Sequence, residues 1–276
     1  MELEHKIVYF SPAGTTRTVA DFLATTLRQR GCQVSMVDLG AGGTQNPSAD
    51  WPQRCCLWVG SPVYCDHAVP LVEEFINRLP TDSGSFSVPF ATWGGVTSGL
   101  TLLELAEQLS ARGYTPLGAA KVLAQHSCLW LAEHPLGGGH PQTEDFSKLQ
   151  SLVTAVLAKL AAGGSSPLPV AELDYLSARL RASSAQKSLA AIKAAVPPRQ
   201  VDTPLCSSCG KCVAACPVAA ITMENYPVIS SECILCLMCV RTCPQGAYPF
   251  DAAATEARIV AMAQSSDEAK ETQVFF

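Results

Sequence analysis

Charge is what this 276-residue sequence has little of: Asp, Glu, Lys and Arg make up 16% of it, and 19 Lys and Arg fall short of 24 Asp and Glu, for a formal net charge of -5. Chains that hold nucleic acid or an anionic bilayer carry a basic excess, so neither is an expected partner, and basic partners suit the acidic balance better. Long hydrophobic runs are missing too. No uninterrupted apolar stretch approaches the ~18 residues of a membrane span. The first residues, MELEHKIVYF, carry Glu2 and Glu4 where a secretory leader is positive. The expected location is therefore cytoplasmic. No H-E-x-x-H and no Ser-His-Asp ordering stands out, which removes support for hydrolases. No G-x-G-x-x-G follows the first apolar run, and Gly137-Gly138-Gly139 follows a late segment instead of opening a helix, so a dinucleotide site fits poorly. Hydrophobic residues nevertheless make up 48% of the chain, enough for one large domain or two smaller ones, and wholesale disorder is excluded.

From His5 to about Leu160, short β-rich apolar runs alternate with amphipathic segments, the pattern of a parallel sheet covered on both faces. The expected strands are 6–10, 33–39, 54–60, 88–94 and 118–124, giving a βα order repeated five times in one doubly wound α/β sheet. Val19, Phe22, Leu23 and Leu27 recur at helical spacing, as do Val69, Val72, Phe75, Ile76 and Leu79, and again Leu149, Leu152, Val153, Val156 and Leu160. Residues 1–165 form this unit. A helical connector follows over 166–200, with helical periodicity through Leu173, Leu176, Leu180, Leu189 and Ile192 that stops at Pro197 and Pro198. Residues 201–250 are short, turn-rich and Cys-dense; 251–276 turn polar, with one short helix and a loose end expected.

Cysteine is plentiful: there are 13, and eight fall between Cys206 and Cys243. A reducing compartment and a core-rich chain argue against a disulfide scaffold. One spacing is written twice: Cys206, Cys209, Cys212 and Cys216 before Pro217, then Cys233, Cys236, Cys239 and Cys243 before Pro244. Two-residue gaps let three thiolates of one loop converge on one cubane face, and the Cys after the three-residue gap reaches the other cluster. One cluster should then take Cys206, Cys209, Cys212 and Cys243, and the other Cys233, Cys236, Cys239 and Cys216. A four-ligand zinc site would leave the third Cys of each triplet and each Cys-Pro without a reason. Backbone N–H groups around Gly210 and Gly246 would tune the clusters. The run resembles the bacterial dicluster ferredoxins over about fifty residues, which implies two [4Fe-4S] clusters relaying single electrons.

In a doubly wound sheet the ligand lies outside the carboxyl ends of the strands. After the first strand, Ser11, Gly14, Thr15 and Thr16 open a helix, whose hydroxyls and free N–H groups would cradle a phosphate; an ordinary helix cap is the simpler account of the same residues. After the third comes Pro62-Val63-Tyr64, and after the fourth Trp93-Gly94-Gly95. Tyr64 and Trp93 would sandwich a flat ring, and the glycines would let backbone approach it; core packing is the alternative for both aromatics. These loops resemble the flavodoxin site, which implies FMN, with the phosphate role on Ser11, Gly14, Thr15 and Thr16. Pro12 and Ala13 remove one N–H and one hydroxyl from that pattern. The chain as a whole resembles the flavodoxin-ferredoxin fusion proteins of bacteria and archaea: a flavodoxin-like parallel five-stranded sheet, then a small α+β dicluster ferredoxin domain.

That resemblance implies an electron-transfer iron-sulfur flavoprotein converting between one- and two-electron carriers for a redox partner protein. Two other classes fit the sequence: a ferredoxin whose flavodoxin-like domain only docks a partner and holds no FMN, and a flavin-dependent reductase of a small substrate. For the last, Cys65, His67 or His126 would supply protons. Cys55 and Cys56 are expected to be core. Cys65, beside Asp66 and His67, could be a reactive thiol; His126 and Cys128 could reach the site edge, and His134 and His140 are expected to face water.

Overall fold

The computed structural model describes residues 3–40, 54–81, 83–196 and 199–276. Glu2 and the Pro197-Pro198 stop lie outside these residues, as does most of the link between the second and third strands.

In the first half, β1 (Glu4–Tyr9), α1 (Thr15–Gln29), β2 (Val34–Asp38), β3 (Cys55–Pro62), α2 (Pro70–Asn77), β4 (Phe86–Trp93), α3 (Thr101–Ala111), the two-residue β5 (Thr115–Pro116), β6 (Ala119–Leu123) and α4 (Thr143–Ala161) follow in order. The sheet runs β2-β1-β3-β4-β6, all parallel, with β5 beside the start of β4. This is the flavodoxin order 2-1-3-4-5, and it reverses direction between β1 and β3, where such sheets open a crevice. All five long strands fall where the apolar runs predict. β4 is buried along its whole length, the signature of a strand covered on both faces.

Side chains alternate between the two faces. Ile7, Tyr9, Cys56, Trp58, Val88 and Phe90 pack under α1 and α4. Val8, Phe10, Cys55, Leu57 and Val59 pack under α2 and α3. Cys55 and Cys56 are therefore core, as expected. Burial holds His5 neutral, its pKa lowered to about 4, and its Nδ1 accepts from the Trp58 indole at 3.1 Å.

The connector is broken rather than continuous. A 3-10 turn at Val170–Leu173 precedes α5 (Ala178–Ala185) and α6 (Leu189–Ala195), capped by the hydroxyls of Ser177 and Ser188. Leu168 and Leu173 pack with Ala91, Leu102 and Leu103, and Leu189 packs beside α2. The Cys-rich part folds as α7 (Lys211–Ala214), the hairpin β7 (Ile221–Met223) and β8 (Pro227–Ile229), and α8 (Met238–Thr242) around its own core of Cys212, Ile221, Cys239 and Tyr248.

The C-terminal segment departs from the expected loose end. It forms α9 (Ala252–Gln264) and β9 (Gln273–Phe275), and β9 adds antiparallel to β6, pairing Ala119 with Phe275 and Lys121 with Gln273. This covers an otherwise open sheet edge. Glu268, between the two elements, reaches under the sheet and pairs with Lys121 at 2.6 Å, both side chains at most 4% exposed. Among the described residues no helix is long and apolar enough to cross a membrane.

Candidate functional site

At the carboxyl end of β1, Gly14 adopts φ 94° and starts α1. The first-turn amides of a helix have no partner within it. One is satisfied locally, since the Arg17 N–H donates to Ser11 Oγ at 2.9 Å. Thr16 is buried and shares a 2.7 Å hydrogen bond with the Thr92 hydroxyl of β4. Of the hydroxyls expected to meet a phosphate, Thr16 is thus shared with Thr92, Ser11 accepts from the Arg17 amide and keeps its own O–H, and Ser11 and Thr15 line the crevice.

The loop after β3 is held from three directions. The Leu100 N–H donates to the Asp66 carbonyl at 2.8 Å, and Gly99, at φ 59°, lies so close that a Cβ there would fall 1.9 Å from that oxygen. The Asp66 carboxylate accepts from Lys187 Nζ at 2.6 Å and Ser184 Oγ at 2.9 Å, tying the connector to the loop. His67 places Nδ1 2.9 Å from Glu104 and Nε2 within 3.0 Å of the Ser184 and Lys187 carbonyls. Acceptors at both nitrogens suit the imidazolium, and the hydrogen bond to Glu104 raises its pKa to about 9 against the opposing effect of burial. His67 is thus a clamp between β3, α3 and the connector. Cys65 does not look like a reactive thiol: burial, then the Asp66 charge, push its pKa up to about 11.

Tyr64 presents part of its ring, while its hydroxyl is buried without a hydrogen-bond partner among the described residues. Trp93 is 1% exposed, with Lys121 Nζ 5.2 Å from its ring centre, so its indole has almost no surface to offer. Gly94 is required by crowding, since a Cβ would meet the His126 ring at 2.7 Å. His126 reaches the site edge. Its Nδ1 accepts from the Cys128 N–H at 3.2 Å, and burial lowers its pKa to about 4. The loop after β4 is fixed from behind by Glu268, which accepts from the Thr97 hydroxyl (2.8 Å), the Ser98 amide (2.8 Å) and the Ser98 hydroxyl (2.5 Å). Gly95 follows at φ 77°. His134 is exposed, whereas His140 does not simply face water: it lies 2.6 Å from Asp145, which caps α4.

These three loops open on one cavity of about 760 Å³. Ser11, Thr15, Pro62, Tyr64, Trp93 and Gly94 form its floor. Its roof is Ile192 and Val196 of the connector, Ile259 and Met262 of α9, and Ile234, Leu235 and Leu237 from the second Cys loop. That roof has no signal in the individual motifs, since it comes from three segments distant in sequence.

The two Cys runs repeat in backbone conformation as they do in spacing. Left-handed residues recur 27 positions apart: Ser208 and Leu235, Gly210 and Leu237, Ala219 and Gly246. Four of these six are not glycine, a conformation retained only where the surroundings demand it. Such turns aim successive N–H groups inward. Ser208 and Leu235 donate to Cys206 and Cys233 Sγ, each at 3.4 Å, while Ala220 and Ala247 donate to Cys216 and Cys243 Sγ at 3.2 and 3.3 Å. Cys206, Cys209, Cys212 and Cys243 line one small pocket. Cys236 has Cys239, Cys216 and Cys233 as neighbours; burial, then that crowd of thiols, pushes its pKa up to about 12 against the Met238 amide. Cys209 is exposed, and the Lys211 amide lowers its pKa. Among the described residues no three His, Cys, Asp or Glu side chains converge on a point suited to a single metal ion. Among the described residues no disulfide joins any of the thirteen cysteines.

Residues 205–247 match the 4Fe-4S dicluster domain family. Similar solved structures include the rubredoxin oxygen:oxidoreductase of Desulfovibrio gigas, at 20% identity over 59% of this chain and 37% of that one, with a TM-score of 0.46. A flavodoxin from the domain Archaea is 17% identical over 58% of this chain and 99% of that one, with a TM-score of 0.43. Flavodoxin 1 from Bacillus cereus is 15% identical over 56% and 97%, with a TM-score of 0.44. No curated protein matches the chain. A sheet in flavodoxin order followed by a 4Fe-4S dicluster segment defines an architecture of the electron-transfer class. The particular combination fits a flavodoxin-ferredoxin fusion.

Proposed function

We propose that this chain is an iron-sulfur flavoprotein that carries single electrons between two [4Fe-4S] clusters and FMN, serving a redox partner protein in the cytoplasm. One observation carries the reading: the loops after β1, β3 and β4 and the second Cys loop wall the same cavity. Cys206, Cys209, Cys212 and Cys243 would hold one cluster, and Cys233, Cys236, Cys239 and Cys216 the other. The donor set fits the group. Backbone N–H groups already point at Sγ of Cys206, Cys216, Cys233 and Cys243, as they would toward cluster thiolates, and Cys206, Cys209, Cys212 and Cys243 share one small pocket.

For the flavin, the Gly14 turn, the Thr15 hydroxyl and the first-turn amides of α1 would receive the phosphate, with Ser11 and Thr16 shaping the turn through the bonds they already make. Pro62, Gly94 and Gly95 would let the backbone approach the ring. Tyr64 would lie against it, with Trp93 as buried support. When bound, FMN supplies the exchange between one- and two-electron carriers. The protein's part is to hold the loops still, through Asp66, His67 and Glu268, and to roof the cavity against water.

A second reading has its own support. The Arg17 amide is spent on Ser11 Oγ, Thr16 shares its hydroxyl with Thr92, Pro12 lacks an N–H and Ala13 a hydroxyl, so the phosphate end has fewer free donors. This favours a ferredoxin whose flavodoxin-like half docks a partner without FMN. A small-molecule reductase is less well served, since His67 is locked by four acceptor contacts and Cys65 is held as the thiol. Chemical analysis of anaerobically purified protein separates the readings. The first predicts about eight iron, eight sulfide and one FMN per chain; iron and sulfide at that level with no flavin released by acid would establish the second.

A further inference from the structure

The two Cys loops share a backbone but not a surface. CSSCGKC at 206–212 and CILCLMC at 233–239 correspond residue for residue at the 27-position offset. In the first, Ser207, Ser208, Cys209 and Lys211 are all exposed. At the matching positions, Ile234 is buried, and Leu235, Cys236 and Met238 are partly covered. Ile234 belongs to the buried cluster under α2 and α3 that also holds Val69 and Val72, and Cys236 and Tyr64 pack against the same cluster. Leu235 and Leu237 keep the left-handed conformation, unfavourable for a side chain, and line the cavity. The first loop instead lies beside the tip of the β7-β8 hairpin, where Ser208 Oγ donates to the Asn225 carbonyl, with Leu205, Tyr226 and Val228 exposed nearby.

We infer that the two quartets have fixed and unequal places: Cys233, Cys236, Cys239 and Cys216 form the inner centre facing the cavity through the Ile234–Leu237 wall and Tyr64, and Cys206, Cys209, Cys212 and Cys243 form the outer centre that meets an external one-electron carrier protein. The inference rests on the iron-sulfur flavoprotein reading. In such an encounter one electron would pass between the carrier and the outer centre, one being oxidised as the other is reduced, with no bond made or broken and no proton required. Polar, open surroundings at the outer loop let a carrier approach Cys209, whereas apolar cover at the inner loop excludes both water and protein partners.

The test is paramagnetic NMR of the anaerobic, cluster-loaded, flavin-free full chain, following the hyperfine-shifted β-proton signals of the ligand cysteines. Lys211→Met assigns the outer set and Tyr64→Phe the inner set, and neither substitution removes a ligand. An uncharged gadolinium chelate should relax the outer set several-fold more than the inner set. Added FMN should then shift the inner set and leave the outer set in place. Equal or reversed gadolinium effects would overturn the assignment, as would FMN shifting the outer set. Should FMN move neither set while the gadolinium order holds, the flavin reading of the cavity fails and the inner and outer order stands on the gadolinium result.

Discussion

At the scale of single residues, the groups that fix the site are mostly not the ones that would touch a cofactor. Glu268 is the clearest case. Its carboxylate, with Lys121, is taken out of water and repaid by the charge pair and by three donors from Thr97 and Ser98. Glu268→Ala leaves the Lys121 ammonium buried and unpaired, and should cost about 3–5 kcal/mol in chemical denaturation. An unchanged midpoint would deny the pair any structural weight. His67 gives a pH signature. Its folded pKa, about 9, lies above the ordinary 6.5, so its contribution is complete below pH 6.5 and disappears as pH rises through about 9. Thermal stability should therefore fall over that window, and His67→Gln should flatten this part of the profile. Gly94→Ala would force a Cβ against His126 and, as an overpacked site, should lose about 1–3 kcal/mol. None of these partners was visible in the sequence. Asp66 and Lys187, or Lys121 and Glu268, are brought together only by the folded chain, and no local pattern encodes their meeting. The cysteine spacing is the opposite case: the chemistry requires adjacent ligands at fixed intervals, so the requirement is written along the chain.

At the scale of elements, the central strands are legible because β3, β4 and β6 are buried along nearly their whole length and read as apolar runs between helical periods, while β1 and the half-buried edge strand β2 keep enough apolar residues to stand out beside α1. The C-terminal strand is not. β9 has three residues, lies at an edge in a polar segment, and gains its stability from pairing with β6 and from Phe275, whose ring stacks 5.2 Å from that of Tyr175. Helical periodicity predicts the connector, and the break between α5 and α6 follows from the Ser188 cap, a signal that the periodicity alone does not reveal. Truncation after Ser266 tests the C-terminal segment as an element. It removes Glu268 and β9 together, exposing the β6 edge. The expected outcome is lower thermal stability and concentration-dependent association, read by light scattering; a monomer as stable as the full chain would mean that β9 contributes nothing.

At the scale of the whole molecule, the internal repeat and the doubly wound sheet each announce themselves separately in the sequence. Their relation does not. The connector crosses the β3 loop through Lys187, α9 closes over the strand ends, and the second Cys loop is driven into the core by Ile234, so that a single cavity has walls from both halves. The polarity of the repeat was present in the residues between the cysteines, SS and GK against IL and LM, but acquires meaning only once one loop is seen covered and the other open. An electron placed on the clusters should reach a flavin in that cavity without leaving the chain. The direct measurement is anaerobic stopped-flow reduction of the loaded protein, following cluster and flavin absorbance at several protein concentrations. The account predicts that flavin bleaching follows cluster reduction at a rate independent of protein concentration; bleaching that scales with concentration, or a flavin that stays oxidised beside reduced clusters, would contradict it.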